Sequence, residues 1–157
     1  RGRNVRVIDA GVSGDTTAGG KRRLAFTLDG LERAPDLAIV GLGANDMLRG
    51  FDPDETRANL DAILAELDRR NVPVLITGML APRNYGNAYV QRFERIYPEL
   101  AKKYDARLDP FILDGVITRR DRLLRDGLHP NPAGIEHMAK RLAPAVAEEL
   151  KTAAPAP

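Results

Sequence analysis

The sequence of 157 residues contains no cysteine. Within these residues, disulfides, thiolate metal sites and a cysteine nucleophile are therefore excluded, and the redox compartment stays open. Long hydrophobic runs are also missing. Residues 72–80 form one of the most apolar stretches, yet they include a proline, a threonine and a glycine and are far fewer than the ~20 residues of a membrane helix. We therefore expect no integral membrane segment.

No charge of one sign dominates the chain. Its 24 basic and 22 acidic residues are mixed along its length and give a net charge of +2. This near balance does not indicate a nucleic acid partner. Hydrophobic residues at 43% and charged residues at 29% are ordinary for a globular protein, and the length suits one domain. We predict a single domain over residues 1–151 and a disordered Ala/Pro tail at 152–157.

The apolar pattern predicts alternating strands and helices. Short apolar runs followed by polar loops predict strands, and apolar residues three or four apart predict helices. The predicted strands cover residues 5–9, 37–42, 72–77 and 107–111. The predicted helices cover residues 18–32, 52–70, 89–100 (bent or broken near Pro98) and a last helix opened by Asn131 and Pro132, with a core face of Ile135, Met138, Leu142 and Val146. This order predicts an α/β fold with a parallel sheet, helices on both faces and a ligand site beyond the carboxyl ends of the strands.

One of the only two histidines lies in the loop Asp126-Gly127-Leu128-His129. A carboxylate three residues before a histidine can turn back to accept the imidazole N–H, which leaves the other ring nitrogen free as a general base. The alternative is an Asp-Gly turn with a surface histidine. For His137, inside the last predicted helix, we expect a solvated surface position.

Two further loops follow predicted strands. Gly43-Ala44-Asn45-Asp46 could present a side-chain amide to an oxyanion, or could be an ordinary strand-to-helix turn. The segment V-S-G-D-T-T could offer the backbone N–H of Gly14, or could be a helix cap. No lysine follows within these loops, so a phosphate-binding loop is the weaker interpretation.

Taken together, these segments resemble the SGNH (GDSL-type) hydrolases, in particular the bacterial acyl-CoA thioesterase I, arylesterase and lysophospholipase group. The resemblance covers nearly the whole chain. It is carried by the segments I-D-A-G-V-S-G-D-T-T-A-G-G, G-L-G-A-N-D-M-L-R-G-F, A-P-R-N-Y-G, R-I-Y-P-E-L-A-K-K-Y and D-G-L-H-P-N. It implies a flavodoxin-like, three-layer α/β/α fold.

The resemblance also implies roles for individual residues. Asp126 and His129 correspond to two members of a Ser-His-Asp triad, and Gly14 and Asn45 to the oxyanion hole. Supporting or pocket positions fall on Gly43, Asp46, Asn84 and Tyr85. No metal or organic cofactor is implied.

The nucleophile block of this family is missing from the sequence. Its G-D-S-L motif precedes the second block by about thirty residues, whereas only 13 residues precede Gly14. Gly14-Asp15-Thr16 is a degenerate match to the G-D-S motif, with Thr16 in place of the serine. We reject this match because the segment does not follow its strand directly. Its distance to Asn45 also suits the second block of the family, the one that contributes the oxyanion-hole glycine. Ser13 does not belong to any recognised nucleophile motif. We expect the serine in an N-terminal segment that also supplies the first strand and helix of the fold.

The sequence therefore predicts an esterase or thioesterase acting on a small-molecule ester, with short acyl or aryl esters, acyl thioesters and lysophospholipids as candidate substrates. The alternative is an inactive, truncated acyl- or lipid-binding protein of the same fold. A flavodoxin-type phosphate or nucleotide binder is disfavoured, because it gives the Asp126–His129 turn no role. Signal peptides are common in this group, so the resemblance implies a periplasmic or secreted location, without excluding a cytoplasmic one.

Overall fold

The computed structural model describes residues 4–152. Its helices and strands follow one another as α1 (Thr17–Asp29), β1 (Ala38–Val40), α2 (Ala44–Leu48), α3 (Pro53–Arg69), β2 (Val74–Thr77), α4 (Asn87–Glu94), α5 (Ile96–Lys103), β3 (Arg107–Asp109) and α6 (Pro132–Thr152). Short 3₁₀ turns lie at Arg83–Tyr85 and Arg120–Arg122. Among these residues no helix is both long and apolar enough to span a membrane.

The three strands form a parallel sheet with β2 between β1 and β3. Ile39 is in register with Leu75, and Leu75 with Arg107. All four residues of β2 are buried, as the apolar run predicts for a central strand of a parallel sheet. The loops that follow β1 and β2 therefore leave the same edge of the sheet.

The core lies between the sheet and helices α3, α4 and α5. The predicted apolar stripe of α3 is confirmed, since Leu60, Ile63, Leu64 and Leu67 are each no more than 2% exposed. Asp52 caps this helix by accepting the Asp54 N–H at 2.9 Å. Such a cap, with a proline at the first helical position, is a strong helix-start signal.

The predicted first strand at residues 5–9 is wrong for the described structure. These residues have no regular secondary structure, and Val5 and Val7 are 51% and 85% exposed. A β-branched run becomes a strand only where a neighbouring strand supplies backbone partners. No other described strand lies beside it. The outer edge of β1 is similarly open, because β2 is its only strand partner among the described residues. The Ile39 side chain on this strand is 54% exposed.

The helix predicted around Pro98 is divided, but at Arg95, which separates α4 from α5. Pro98 lies in the first turn of α5, where a missing N–H costs no intrahelical hydrogen bond. The last helix does begin after Asn131, whose side chain accepts the Gly134 N–H at 3.0 Å.

The core face predicted for α6 forms only in part and fails at Ile135. Ile135 is 57% exposed, Met138, Leu142 and Val146 are half-buried, and Gly134 is the one buried residue of this helix. Burial of an apolar stripe requires an element packed over it, and no described element covers Ile135.

The solvated position predicted for His137 is also wrong. It is half-buried, with Nε2 only 2.5 Å from the place a Cβ on Gly115 would occupy. At the tail, Thr152 belongs to α6, and residues 153–157 lie outside the described part of the chain.

Candidate active site

The Asp126–His129 loop fits both interpretations of its sequence, because the carboxylate faces the imidazole and the His129 side chain is 65% exposed, as in a surface turn. Asp126 Oδ2 lies 2.7 Å from His129 Nδ1, while Oδ1 accepts the backbone N–H groups of Leu128 and His129 at 2.9 and 3.0 Å. Gly127 lies between them with a φ of +72°, a left-handed conformation that glycine adopts without strain. The local chain therefore holds both partners of the pair.

The hydrogen bonds to Asp126 favour its ionised form. The two backbone N–H groups and then the His129 ring lower the pKa of this carboxyl to about 2. An ionised carboxylate against Nδ1 keeps the imidazole proton on that nitrogen. His129 Nε2 makes no hydrogen bond to any residue between 4 and 152. The geometry therefore provides an oriented imidazole with a free basic nitrogen.

Contacts among residues 121–131 close this loop on itself just before α6. The Leu124 N–H donates to the His129 carbonyl at 2.7 Å, and Leu123 forms an antiparallel bridge with Pro130. The Asn131 amide donates to the carbonyls of Asp121 and Leu123 at 2.8 and 3.2 Å. The histidine therefore rests on a short, closed loop.

Gly14 and Asn45 approach each other across the loop before α1. The Asn45 amide nitrogen donates to the Asp15 carbonyl at 2.9 Å, and one of its two hydrogens stays available. Gly14 has a φ of +75°, and its N–H makes no hydrogen bond within the described chain. Two N–H donors without a described acceptor thus belong to Gly14 in this loop and to Asn45, which binds the loop.

Asp46 ties this loop to the helices behind it. It is 2% exposed and accepts the Thr17 N–H at 2.9 Å and the Thr17 hydroxyl at 2.5 Å. The Thr56 hydroxyl lies 3.5 Å away on α3. Asp46 therefore fixes the start of α1 against α2, directly after Asn45.

Gly43 forms the turn that introduces α2. Its φ is +109°, and a Cβ there would lie 2.3 Å from the Tyr97 hydroxyl. That hydroxyl donates to the Leu42 carbonyl at 3.1 Å. Burial raises the pKa of Tyr97 well above its usual range, so the hydroxyl stays a donor. Only glycine fits this close approach.

The remaining predicted pocket residues lie in the 3₁₀ turn after β2. Tyr85 is half-buried, and its ring centroid is 5.1 Å from that of Tyr89. The Tyr89 hydroxyl donates to the Phe51 carbonyl at 3.0 Å, which connects this turn to the segment after α2. Asn84 is exposed and makes no hydrogen bond to a described residue.

The predicted site residues form two separate groups, and no hydrogen bond between described residues joins one group to the other. One contains Asp126 and His129, and the other contains Gly14, Asn45 and Asp46. Ser13 is the only serine in the sequence, and it is exposed without any described hydrogen bond. Thr16 caps α1 by accepting the Gly19 N–H at 3.2 Å. Neither hydroxyl is bonded to His129.

The family model described as "GDSL-like Lipase/Acylhydrolase family" matches residues 1–136, well over half of the chain. The chain belongs to this family. A GDSL-like relative, the arylesterase of Vibrio mimicus, is 38% identical over 95% of the chain and 74% of its own length. The Escherichia coli (strain K12) protein "Thioesterase 1/protease 1/lysophospholipase L1" is 39% identical over 89% of the chain and 68% of its own length.

Solved structures agree with the GDSL-like assignment. The SGNH-hydrolase family esterase AlinE4 is 50% identical, with a TM-score of 0.77 over 98% of this chain and 79% of its own. The structure of TesA is 34% identical, with a TM-score of 0.86 over 94% of this chain and 81% of its own. The predicted three-layer α/β/α fold is confirmed by these neighbours.

Sequence reasoning missed two residues that support the GDSL-like site. Tyr97 lies within the segment R-I-Y-P-E-L, but its apolar neighbours gave no signal that its hydroxyl reaches the Gly43 turn. Arg49 follows Asn45 by one helical turn, and its guanidinium donates to the Gly14 carbonyl at 3.0 Å. The four-residue spacing was the available signal for Arg49.

Proposed function

We propose that the protein is a serine hydrolase that cleaves carboxylic esters and thioesters through a Ser-His-Asp triad and an oxyanion hole made by Gly14 and Asn45. The observation that carries this proposal is the 2.7 Å pair between Asp126 and His129, with Nε2 left free. The esterase and thioesterase names of the relatives support the same reaction class.

In the proposed reaction, His129 Nε2 takes the proton of the serine hydroxyl as the serine oxygen attacks the substrate carbonyl carbon. The carbonyl oxygen becomes an oxyanion, which the Gly14 N–H and the second amide hydrogen of Asn45 stabilise. His129 then gives its proton to the departing alcohol or thiol, leaving an acyl-enzyme. A water molecule attacks that ester as His129 takes its proton, and His129 then returns the proton to the serine oxygen as the carboxylic acid leaves.

Asp126 holds the imidazole in the tautomer this sequence needs and stabilises the imidazolium that forms. Its low pKa of about 2 keeps it ionised over the pH range in which esterases are assayed. The proposed chemistry uses neither a metal nor an organic cofactor.

We place the nucleophilic serine in a segment N-terminal to Arg1. Ser13 is exposed and makes no hydrogen bond to a described residue, and the Thr16 hydroxyl caps α1. Among the described strands β1 pairs only with β2, so its open edge suits an additional strand. The same segment would bring the serine to the carboxyl ends of the strands, which is where Gly14 and Asn45 lie.

An active-site phosphonate probe tests the proposal on the complete protein. A fluorophosphonate should form one covalent adduct, and peptide mass spectrometry should locate it on a serine before Arg1. An adduct on Ser13 or Thr16 would contradict the placement of the nucleophile. No adduct, together with no hydrolysis of p-nitrophenyl butyrate, would favour the second candidate, a non-catalytic acyl- or lipid-binding protein. His129→Ala is the matched control, because it should abolish labelling.

A further inference from the structure

Arg49 and Asn45 lie one helical turn apart and both reach the loop before α1. Arg49 directly follows α2, and its backbone N–H donates to the Asn45 carbonyl at 3.1 Å. Its Nη2 donates to the Gly14 carbonyl at 3.0 Å, while the Asn45 amide donates to the next carbonyl, that of Asp15, at 2.9 Å. Asn45 in α2 and Arg49 directly after it therefore bind two consecutive carbonyls of the loop before α1.

The Arg49 guanidinium donates to the Gly14 carbonyl and has no acidic partner among the described residues. No carboxylate of the described residues lies within ion-pair distance of it, although its side chain is exposed. The neighbouring carboxylate, Asp15, pairs instead with Arg23 at 2.8 Å. Arg49 thus donates to a backbone carbonyl beside the proposed oxyanion hole, without an acidic partner.

Gly14 needs such an anchor for a physical reason. Glycine rotates more freely about its backbone than any other residue, and Gly14 adopts a φ of +75°. A Cβ at this position would meet Arg49 Nη2 only at 4.0 Å, so side-chain packing does not hold the residue. Fixing the Gly14 carbonyl restrains the rotation that orients its N–H.

We infer that Arg49 is a positioning residue for ester hydrolysis, which fixes the Gly14 loop on α2 so that the Gly14 N–H and the Asn45 amide face the same substrate oxygen. This inference rests on the proposed function. A misplacement of about 1 Å in a catalytic group can cost 10²-fold in rate. Arg49 acts through Gly14 and does not touch the reacting atoms.

The test compares Arg49→Met and Arg49→Lys in the complete protein, with p-nitrophenyl butyrate as substrate. We expect Arg49→Met to lower kcat about tenfold, less than the 10²–10³ lost with a direct oxyanion donor, and to leave KM within about twofold. Arg49→Lys keeps a charged donor and should recover most of kcat. Arg22→Met is the control, because the Arg22 side chain is exposed on α1 and makes no hydrogen bond or ion pair with a described residue. An unchanged kcat in Arg49→Met would overturn the inference.

A double variant separates positioning from a general structural role. If Arg49 acts through the oxyanion hole, Arg49→Met should cost less than about threefold in an Asn45→Ala background, since coupled residues are not additive. A full tenfold loss in both backgrounds would count against it.

A readout that needs no activity distinguishes this inference from the proposed function. In ¹⁵N-labelled protein, Arg49→Met should shift the Gly14 amide resonance, whereas Arg22→Met should not. If the wild-type protein hydrolyses no ester, the proposed function fails while this resonance still reports the contact. A Gly14 resonance that Arg49→Met does not move would refute the contact itself.

Discussion

The buried carboxylate of Asp46 accepts two hydrogen bonds from Thr17, one from its backbone N–H at 2.9 Å and one from its hydroxyl at 2.5 Å. Thr17 begins α1, and Asp46 lies in α2 beside Asn45. A carboxylate thus replaces the missing intrahelical partner of a first-turn N–H. The relationship joins the Gly14 loop to the Asn45 helix through the interior of the protein.

Asp46→Ala should therefore destabilise the fold. It leaves the fully buried Thr17 N–H without a partner, and such a group costs about 1–3 kcal/mol. Urea denaturation of the complete protein measures the free energy of unfolding. Asp46→Asn keeps one acceptor oxygen and should lose less. Glu136→Ala, at an exposed pair with Lys140, is the control and should change stability by less than about 0.5 kcal/mol. Equal losses in Asp46→Ala and Glu136→Ala would contradict this role.

His129→Ala should remove nearly all ester hydrolysis from the complete protein. The members of a triad act as a unit, so loss of one costs roughly 10⁴–10⁶ in rate. Hydrolysis of p-nitrophenyl butyrate measures it. His137→Gln alters the only other histidine, and we expect it to keep kcat within a few fold. A His129→Ala variant that retains more than about a tenth of the rate would be incompatible with the triad.

Asn45→Ala should lower kcat by roughly 10²–10³ with a modest change in KM, because its amide would act on the oxyanion that forms only during reaction. Steady-state kinetics measure the two constants separately. The same substitution also removes the 2.9 Å bond to the Asp15 carbonyl. A lower free energy of unfolding with an intact kcat would instead support the interpretation of Asn45 as a turn residue.

Local patterns predicted the contact between Asp126 and His129, the family resemblance suggested the roles of Gly14 and Asn45, and long-range pairing accounts for the errors. The Asp126–His129 contact spans three residues, so the sequence contains all of its geometry. The α3 stripe and the β2 run are likewise local patterns. The strand at residues 5–9 and the core face at Ile135 fail for a different reason, since both require a partner element to cover them. Tyr97 is 55 residues from the carbonyl it binds, and no local pattern reports such a contact.

The Asp126 carboxyl should titrate with a midpoint near pH 2, below its ordinary value of 3.8. A carboxyl whose pKa is depressed by folding stabilises the protein above the unfolded pKa and loses that contribution as pH falls through the folded pKa. Asp126 should thus contribute undiminished stability above about pH 4 and lose it towards pH 2. The ¹³C carboxyl shift of Asp126 measures this midpoint. In His129→Ala the midpoint should rise but stay below 3.8, since the two backbone donors remain. An ordinary midpoint in the wild-type protein would show that the turn does not hold in solution.

Residues 1–157 alone should show less than about a tenth of the complete protein's esterase activity and should fold poorly, if the nucleophile and a further strand precede Arg1 as proposed. A base, an orienting carboxylate and an oxyanion hole without a nucleophile retain roughly 10³–10⁴ over the uncatalysed reaction, far below the complete enzyme. The outer edge of β1, which has no described strand partner, invites association between chains. The Ile39 side chain, 54% exposed, adds apolar surface there.

The measurements are a circular dichroism melt and p-nitrophenyl acetate turnover of residues 1–157, each with and without an added fragment that contains the preceding strand and helix. We expect the fragment to sharpen the melt and to raise turnover at least tenfold, because it restores the whole triad. A scrambled fragment of the same composition is the control and should do neither. A cooperative melt with full activity from residues 1–157 alone would disprove the placement of the nucleophile and return Ser13 and Thr16 as candidates.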